Sequence, residues 1–176
     1  MLIVVSGTHA SGKSTLISDF ALRHPDFTVL PDPFELIDES WDGPAAGMFA
    51  AQLRVSAHRL QPKGANVIAE RGPLDFLAYL VALEELGAPS SPGLLERSAA
   101  ITADALRHVD LLVVLPLEAE DPIEVSADEH LELRSAMNDA LLDLVEDADL
   151  IGPRTTVAEI VGEPDERLAR LESHLV

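Results

Sequence analysis

Gly7-Thr8-His9-Ala10-Ser11-Gly12-Lys13-Ser14-Thr15 is the stretch that decides the fold. It satisfies G-x-x-x-x-G-K-[ST] at every fixed position and follows the apolar run Leu2-Ile3-Val4-Val5. Buried strand, glycine loop and then helix is the order a phosphate cradle requires. Glycines let the backbone turn tightly, so that its N–H groups converge on an anion. The helix beginning near Lys13 adds the positive end of its dipole, and Leu16, Ile17, Phe20 and Ala21 give it an apolar face. Lys13 is expected to reach terminal phosphates and the Ser14 hydroxyl to ligate Mg²⁺. Gly7, His9, Ala10, Ser11, Gly12, Lys13, Ser14 and Thr15 are therefore the expected nucleotide-binding residues, with His9 filling a variable position.

Outward from this loop, apolar runs alternate with helical patterns, the signature of an α/β protein with a mostly parallel sheet. Strands are expected at about Leu2–Ser6, Phe27–Leu30, Asn66–Glu70, Asp110–Leu115 and Thr155–Val161. Helices are expected over Lys13–Arg23, Met48–Leu60, Pro73–Leu86, Pro92–Arg107, Glu129–Glu146 and from Pro164 to about Leu175. Proline and glycine mark the boundaries at Pro31, Pro33, Pro62, Gly64, Gly72-Pro73, Gly87 and Gly162. An acidic, proline-rich loop runs through Trp41 and Gly43-Pro44, and the acidic stretch after Leu117 reads as a loop or lid.

Two strands end in carboxylates, and in open parallel sheets ligands sit at the carboxyl ends of the strands. Strand two ends at Asp32 between prolines, and strand three at Glu70, followed by Arg71 and Gly72. Phosphoryl transfer needs positive charge around the moving group, a magnesium ion and an acceptor hydroxyl held in line. Lys13 and Arg71 can supply the charge and Glu70 the magnesium shell, while Asp32 can take the acceptor's proton. Plainer readings stand beside these: Pro-Asp-Pro is also turn chemistry, and Glu70-Arg71 is also a local ion pair.

Gly7 to Thr15, then Asp32-Pro33, then Glu70-Arg71-Gly72 together resemble the P-loop kinases of small metabolites. These include deoxynucleoside kinases, nicotinamide riboside kinase-type ATPases and chloramphenicol phosphotransferase. Deoxynucleoside kinases carry their general base before a proline after the second strand, which falls on Asp32-Pro33. Their Asp/Glu-Arg-Ser motif falls on Glu70-Arg71, with Gly72 in place of Ser. The run Glu70 to Asp75, leading to Ala78-Tyr79-Leu80, looks most like the riboside kinase-type ATPases. The resemblance implies a P-loop NTPase three-layer sandwich: a five-stranded parallel sheet of nucleotide-kinase type, order 2-3-1-4-5, with helices on both faces. The length and the lack of a linker read as one domain over 1–176 with a short lid at about 117–129, and ATP and Mg²⁺ are the expected cofactors. The helix Met48–Leu60 would then cover the acceptor, with Gln52 and Arg54 or Arg59 as contacts. A solvent-facing polar stripe is the other reading of those three residues. Phe34 and Trp41 can offer flat stacking surfaces beside Asp32 and Arg71.

One departure concerns the lid. Such kinases carry lid arginines, whereas Leu117–Glu129 has none and holds Glu118, Glu120, Asp121, Glu124, Asp128 and Glu129. Arg134 on the following helix is the nearby candidate; Arg107 or Arg154 would have to swing in from elsewhere. An acidic lid also disfavours an acceptor carrying its own phosphate.

Composition excludes other classes. The chain has 176 residues, 12 basic against 31 acidic, for a net charge of −19. That field repels nucleic acid and anionic membranes, so neither is an expected partner. There is no cysteine, hence no disulfide, thiolate zinc site or thiol nucleophile. The six histidines form no metal spacing, and no G-x-S-x-G elbow appears. Met1 leads straight into a strand, unlike a signal peptide, so a cytoplasmic protein is expected. The expected partner is a small-molecule acceptor, most simply a nucleoside or nucleotide-like compound; a homodimer is compatible with the sequence. A nucleotide-binding switch and an antibiotic-modifying phosphotransferase are the alternative functions.

Overall fold

The apolar runs pair into one parallel sheet in a computed structural model of the chain, which describes residues 1–36, 45–61, 65–117 and 131–175. The strands are β1 (Leu2–Ser6), β2 (Phe27–Leu30), β3 (Asn66–Glu70), β4 (Leu111–Val114) and β5 (Thr156–Glu159). They lie in the order β2-β3-β1-β4-β5, the order expected from the sequence. Every ladder is parallel, with Ile3 opposite Ile68 on one side and Leu111 on the other. Central strands covered on both faces read as continuous apolar runs, and β1 and β4 are buried along almost their whole length.

Side chains alternate between two cores. Ile3, Val5, Ile68, Leu111 and Val113 face α1 (Lys13–Arg23) and the terminal helix α7 (Pro164–Ser173). Leu16, Ile17 and Phe20 of α1 meet Leu168 and Leu171 of α7 there. Val4, Ala69, Leu112 and Val114 face the opposite layer. That layer holds α2 (Ala46–Arg59), α3 (Pro73–Glu85), α4 (Leu94–Leu106), α5 (Leu131–Val145) and α6 (Ala148–Ile151). Helix α3 is its centre. Ten of its 13 residues are buried, which is why its sequence is apolar all round rather than amphipathic.

Two short elements were not expected. A 3₁₀ turn, Pro33–Leu36, follows β2 because the Asp32 carboxylate accepts from the Phe34 N–H at 3.0 Å. Helix α6 interrupts the run after α5 because the Asp147 carboxylate caps it, accepting from Asp149 N and Leu150 N at 2.9 and 3.2 Å. Trp41, Gly43-Pro44, Pro62, Gly64 and the acidic lid stretch 118–129 lie outside the described residues. Among the described residues, no helix is long and apolar enough to cross a membrane.

Candidate active site

The loop between β1 and α1 takes the shape its glycines permit. Gly7 has φ +158°, and a Cβ there would lie 2.8 Å from the Leu115 carbonyl oxygen. Gly12 caps α1 at φ +85°, in the left-handed region. Ala10 also sits at positive φ, 53°, an uncommon conformation for a residue with a side chain. Within this loop Lys13 is almost fully buried, and its Nζ donates to the Thr8 carbonyl at 2.7 Å and to Ser11 Oγ at 3.4 Å. Burial lowers its pKa to about 7, Arg71 pushes the same way, and Asp75, Glu70 and Asp32 oppose. The ammonium is thus held with neutral acceptors where a polyanion would be a far better partner.

Ser14 Oγ donates to Glu70 Oε1 at 2.7 Å, joining the start of α1 to the end of β3. A hydroxyl and a carboxylate so close are hard oxygen donors of the type Mg²⁺ takes alongside substrate phosphates. Among the described residues no group of three His, Cys, Asp or Glu side chains could hold a metal by itself. A magnesium ion here would therefore depend on the nucleotide for much of its shell.

Arg71 follows at φ 61°, a left-handed value for a residue with a Cβ, which costs on the order of 1–3 kcal/mol. The turn sends its guanidinium under the loop. Nε donates to Asp32 Oδ2 at 2.7 Å and Nη1 to the Gly7 carbonyl at 3.0 Å. Burial alone would lower its pKa, but Tyr79, Asp32 and Asp75 leave it raised, so the cation is secure. Asp75 lies below, fully buried. It accepts from Ser6 Oγ at 2.7 Å, Gly7 N at 2.9 Å and Gly72 N at 2.8 Å, and stands 4.0 Å from Arg71 Nη1. Burial raises its pKa, opposed by Arg71 and these donors. One carboxylate therefore ties the end of β1, the phosphate loop and the start of α3 together.

Above these groups opens a cleft of about 660 Å³. Lys13, Ser14, Glu70 and Arg134 line one end, and Asp32 and Arg71 the middle. Phe34, Met48, Phe49 and Tyr79 form the other end. Phe49 and Tyr79 stack at 4.5 Å with planes 1° apart, Phe34 packs edge-on to Phe49, and Arg71 Cζ lies 5.5 Å from the Phe34 ring centre. The aromatic end suits a flat ligand, and the loop end suits phosphates.

Solved structures share this architecture. Thymidylate kinase from Candida albicans superposes with a TM-score of 0.68 at 19% identity, over 99% of this chain and 90% of that one. Deoxyadenosine kinase from M. mycoides, with dCMP and dCDP bound, gives 0.68 at 14% identity over 99% and 98%. The same enzyme with dATP gives 0.66 at 12% identity over 99% of each chain. The fold is that of the P-loop nucleotide kinases. No family model and no curated protein matches the chain in sequence.

Within this nucleotide-kinase fold, the structure gathers Lys13, Ser14, Asp32, Phe34, Glu70, Arg71 and Arg134 around one cleft. Arg134 reaches it from α5, donating from Nε to the His9 carbonyl at 2.9 Å and from Nη2 to the Ala10 carbonyl at 3.3 Å. Gln52 is not at the cleft surface. It is fully buried one turn beyond Met48 and Phe49, and neither its Nε2 nor its Oε1 has a partner among the described residues. Arg54 and Arg59 are not brought to the cleft. Arg54 is exposed in shallow grooves beside α4, and Arg59 donates to the Pro31 carbonyl at 2.8 Å. A helix buries one stripe, and Gln52 takes it, which turns Arg54 outward. Arg107 and Arg154 lie before β4 and β5, at the amino ends of parallel strands, far from a loop at the carboxyl end of β1.

Sequence reasoning missed Asp75, Tyr79 and Arg167. Arg167 reaches from α7 to the Gly162 carbonyl and, at 2.9 Å, to the Ser11 carbonyl of the phosphate loop. Asp75 had a signal, since an acid two residues after an N-terminal proline commonly reaches back to the helix cap. Arg167 had none, because its partner is 156 residues away.

Proposed function

We propose that this chain transfers the terminal phosphoryl group of ATP to a hydroxyl of a small nucleoside-like metabolite. The observation that carries the reading is the single cleft holding a phosphate loop at one end, aromatic rings at the other and Asp32 between them. The solved kinases of the same fold support it.

The roles follow from position. The loop amides and Lys13 hold the phosphates and neutralise the charge that spreads over the transferred group. Ser14 and Glu70, together with the nucleotide, would hold a Mg²⁺ ion that would add charge neutralisation at the phosphate oxygens. Arg134 closes the loop from above. Arg71 orients Asp32 through the 2.7 Å contact while the 3₁₀ turn fixes the other carboxylate oxygen. Asp32 then accepts the proton of the acceptor hydroxyl as its oxygen bonds to the terminal phosphorus and the bond to ADP breaks. The products are ADP and a phosphate ester.

One feature points to a nucleoside rather than a nucleotide as acceptor. Among the described residues Arg71 is the cation that lies against the Phe34 and Tyr79 rings, and it is already committed to Asp32 and Gly7.

ADP release measured with Mg·ATP against nucleosides, their 5′-monophosphates, sugars and antibiotics tests the reading. Turnover that appears with a nucleoside and is at least tenfold lower with its monophosphate is the expected result. Identical ATP hydrolysis with and without every acceptor would replace the kinase by a nucleotide-dependent switch.

A further inference from the structure

A second cleft, of about 550 Å³, begins at the amino ends of β1, β3 and β4 and runs along β2. Its floor is apolar, formed by Leu2, Leu30, Val67 and Val109. Its rim is basic: Arg59 from the end of α2, Arg107 and His108 between α4 and β4, and Arg154 before β5. Met1 adds its amino group nearby, donating to Asn66 Oδ1 at 2.9 Å.

The charge of this cleft runs against that of the whole chain. Three of the 12 lysine and arginine residues line it, in a molecule of net charge −19. Asp110 is the one carboxylate among the described lining residues, and it is engaged by the Leu2 N–H at 2.7 Å. Asp104 meets Arg107 at 3.6 Å where both side chains are largely exposed, and Asp26 accepts from Asn66 Nδ2. Positive groups collected around one groove repel one another, and an anion between them relieves that cost. Arg59 has already lost water: burial lowers its pKa, against the pull of Asp32.

We propose that this cleft is a second ligand site for a small phosphorylated compound with a flat apolar body. Guanidinium forks match phosphate oxygens in pairs, and Arg107 and Arg154 approach the cleft from two different connections. The body covers Leu2, Leu30 and Val67. Arg107 and Arg154 precede β4 and β5, at the end of the sheet opposite the phosphate loop, with the length of β1, about 16 Å at ~3.3 Å per residue, between the two ends.

Calorimetric titration with AMP, then with inorganic pyrophosphate, tests the site in three proteins: wild type, Lys13→Ala and the Arg107→Ala/Arg154→Ala double variant. Both arginines are solvent-exposed, so the double variant keeps the core, and its unliganded melting temperature and phosphoryl-transfer rate should match wild type. AMP should bind wild type and Lys13→Ala alike, and the double variant at least tenfold more weakly. Pyrophosphate, which lacks the apolar body, should bind the same site more weakly than AMP. AMP binding that disappears in Lys13→Ala, or that is unchanged in the double variant, overturns the proposal. Equal affinity for pyrophosphate overturns the part assigned to the apolar floor.

Discussion

Raising the pH from 7 to 9 should weaken ATP binding about fiftyfold, and the cause is one buried side chain. Burial strips the Lys13 ammonium of water and lowers its pKa to about 7. Phosphates bound beside it favour the charged form, so its pKa rises on binding and a proton is taken up. The fraction charged in the free protein is about one half at pH 7 and about one hundredth at pH 9, which corresponds to ~2.3 kcal/mol of lost affinity at ~1.36 kcal/mol per pKa unit. The effect on folding has its own sign. A lysine whose folded pKa lies below its unfolded value of 10.5 leaves the native state with fewer protons between about 7 and 10.5. Stability of the empty protein therefore rises with pH across that window. Isothermal calorimetry at pH 7, 8 and 9, in buffers of different ionisation enthalpy, measures affinity and proton uptake together. Uptake approaching one proton per ATP at pH 9, absent in Lys13→Ala, is expected. A dissociation constant that stays level from pH 7 to 9 with no proton uptake would refute the reasoning.

Other perturbations separate the roles of neighbouring groups. Asp32→Asn should lower kcat by roughly a hundredfold or more while leaving ATP affinity nearly unchanged, as for a lost general base; equal turnover in steady-state assays would leave Asp32 only its turn and its ion pair. Asp75→Asn turns an N–H toward Gly7 N or toward Gly72 N and Ser6 Oγ, and breaking such a buried charge site should cost about 3–5 kcal/mol. At ~2–4 °C per kcal/mol for a chain of this size, its melting temperature should fall by about 10 °C, and a change under 3 °C in a thermal scan counts against the keystone role. Gln52→Leu removes a buried amide with no partner among the described residues, a defect worth about 1–3 kcal/mol, so the melting temperature should rise. The KM for the acceptor should stay unchanged, because Gln52 does not line the cleft; a lower melting temperature would show that the amide is needed for packing.

The strands and the loop were legible because their signals are local. Alternation, proline, glycine and the spacing of Gly7, Gly12 and Lys13 each act within a few residues, and β1, β2, β3 and α1 fall on the expected bounds. Helix α6 was not legible, because a single carboxylate, Asp147, cuts it out of a segment with no periodicity of its own. The polar residues of α2 show the limit most clearly. Gln52, Arg54 and Arg59 are alike as sequence, and only packing against α3 and the 3₁₀ turn decides which of them faces inward.

By itself the sequence determined that β1 leads into a glycine loop opening a helix, that the sheet is parallel, and that carboxylates follow β2 and end β3. Those are consequences of backbone geometry and of side-chain burial along one strand or helix. Tertiary structure decided which groups meet: Arg71 with Asp32, Asp75 beneath Gly7, Arg134 and Arg167 on the loop carbonyls. Those contacts join residues tens to more than a hundred positions apart. Their strength depends on burial and ångström-scale distance, which appear only when the helices have closed over the sheet.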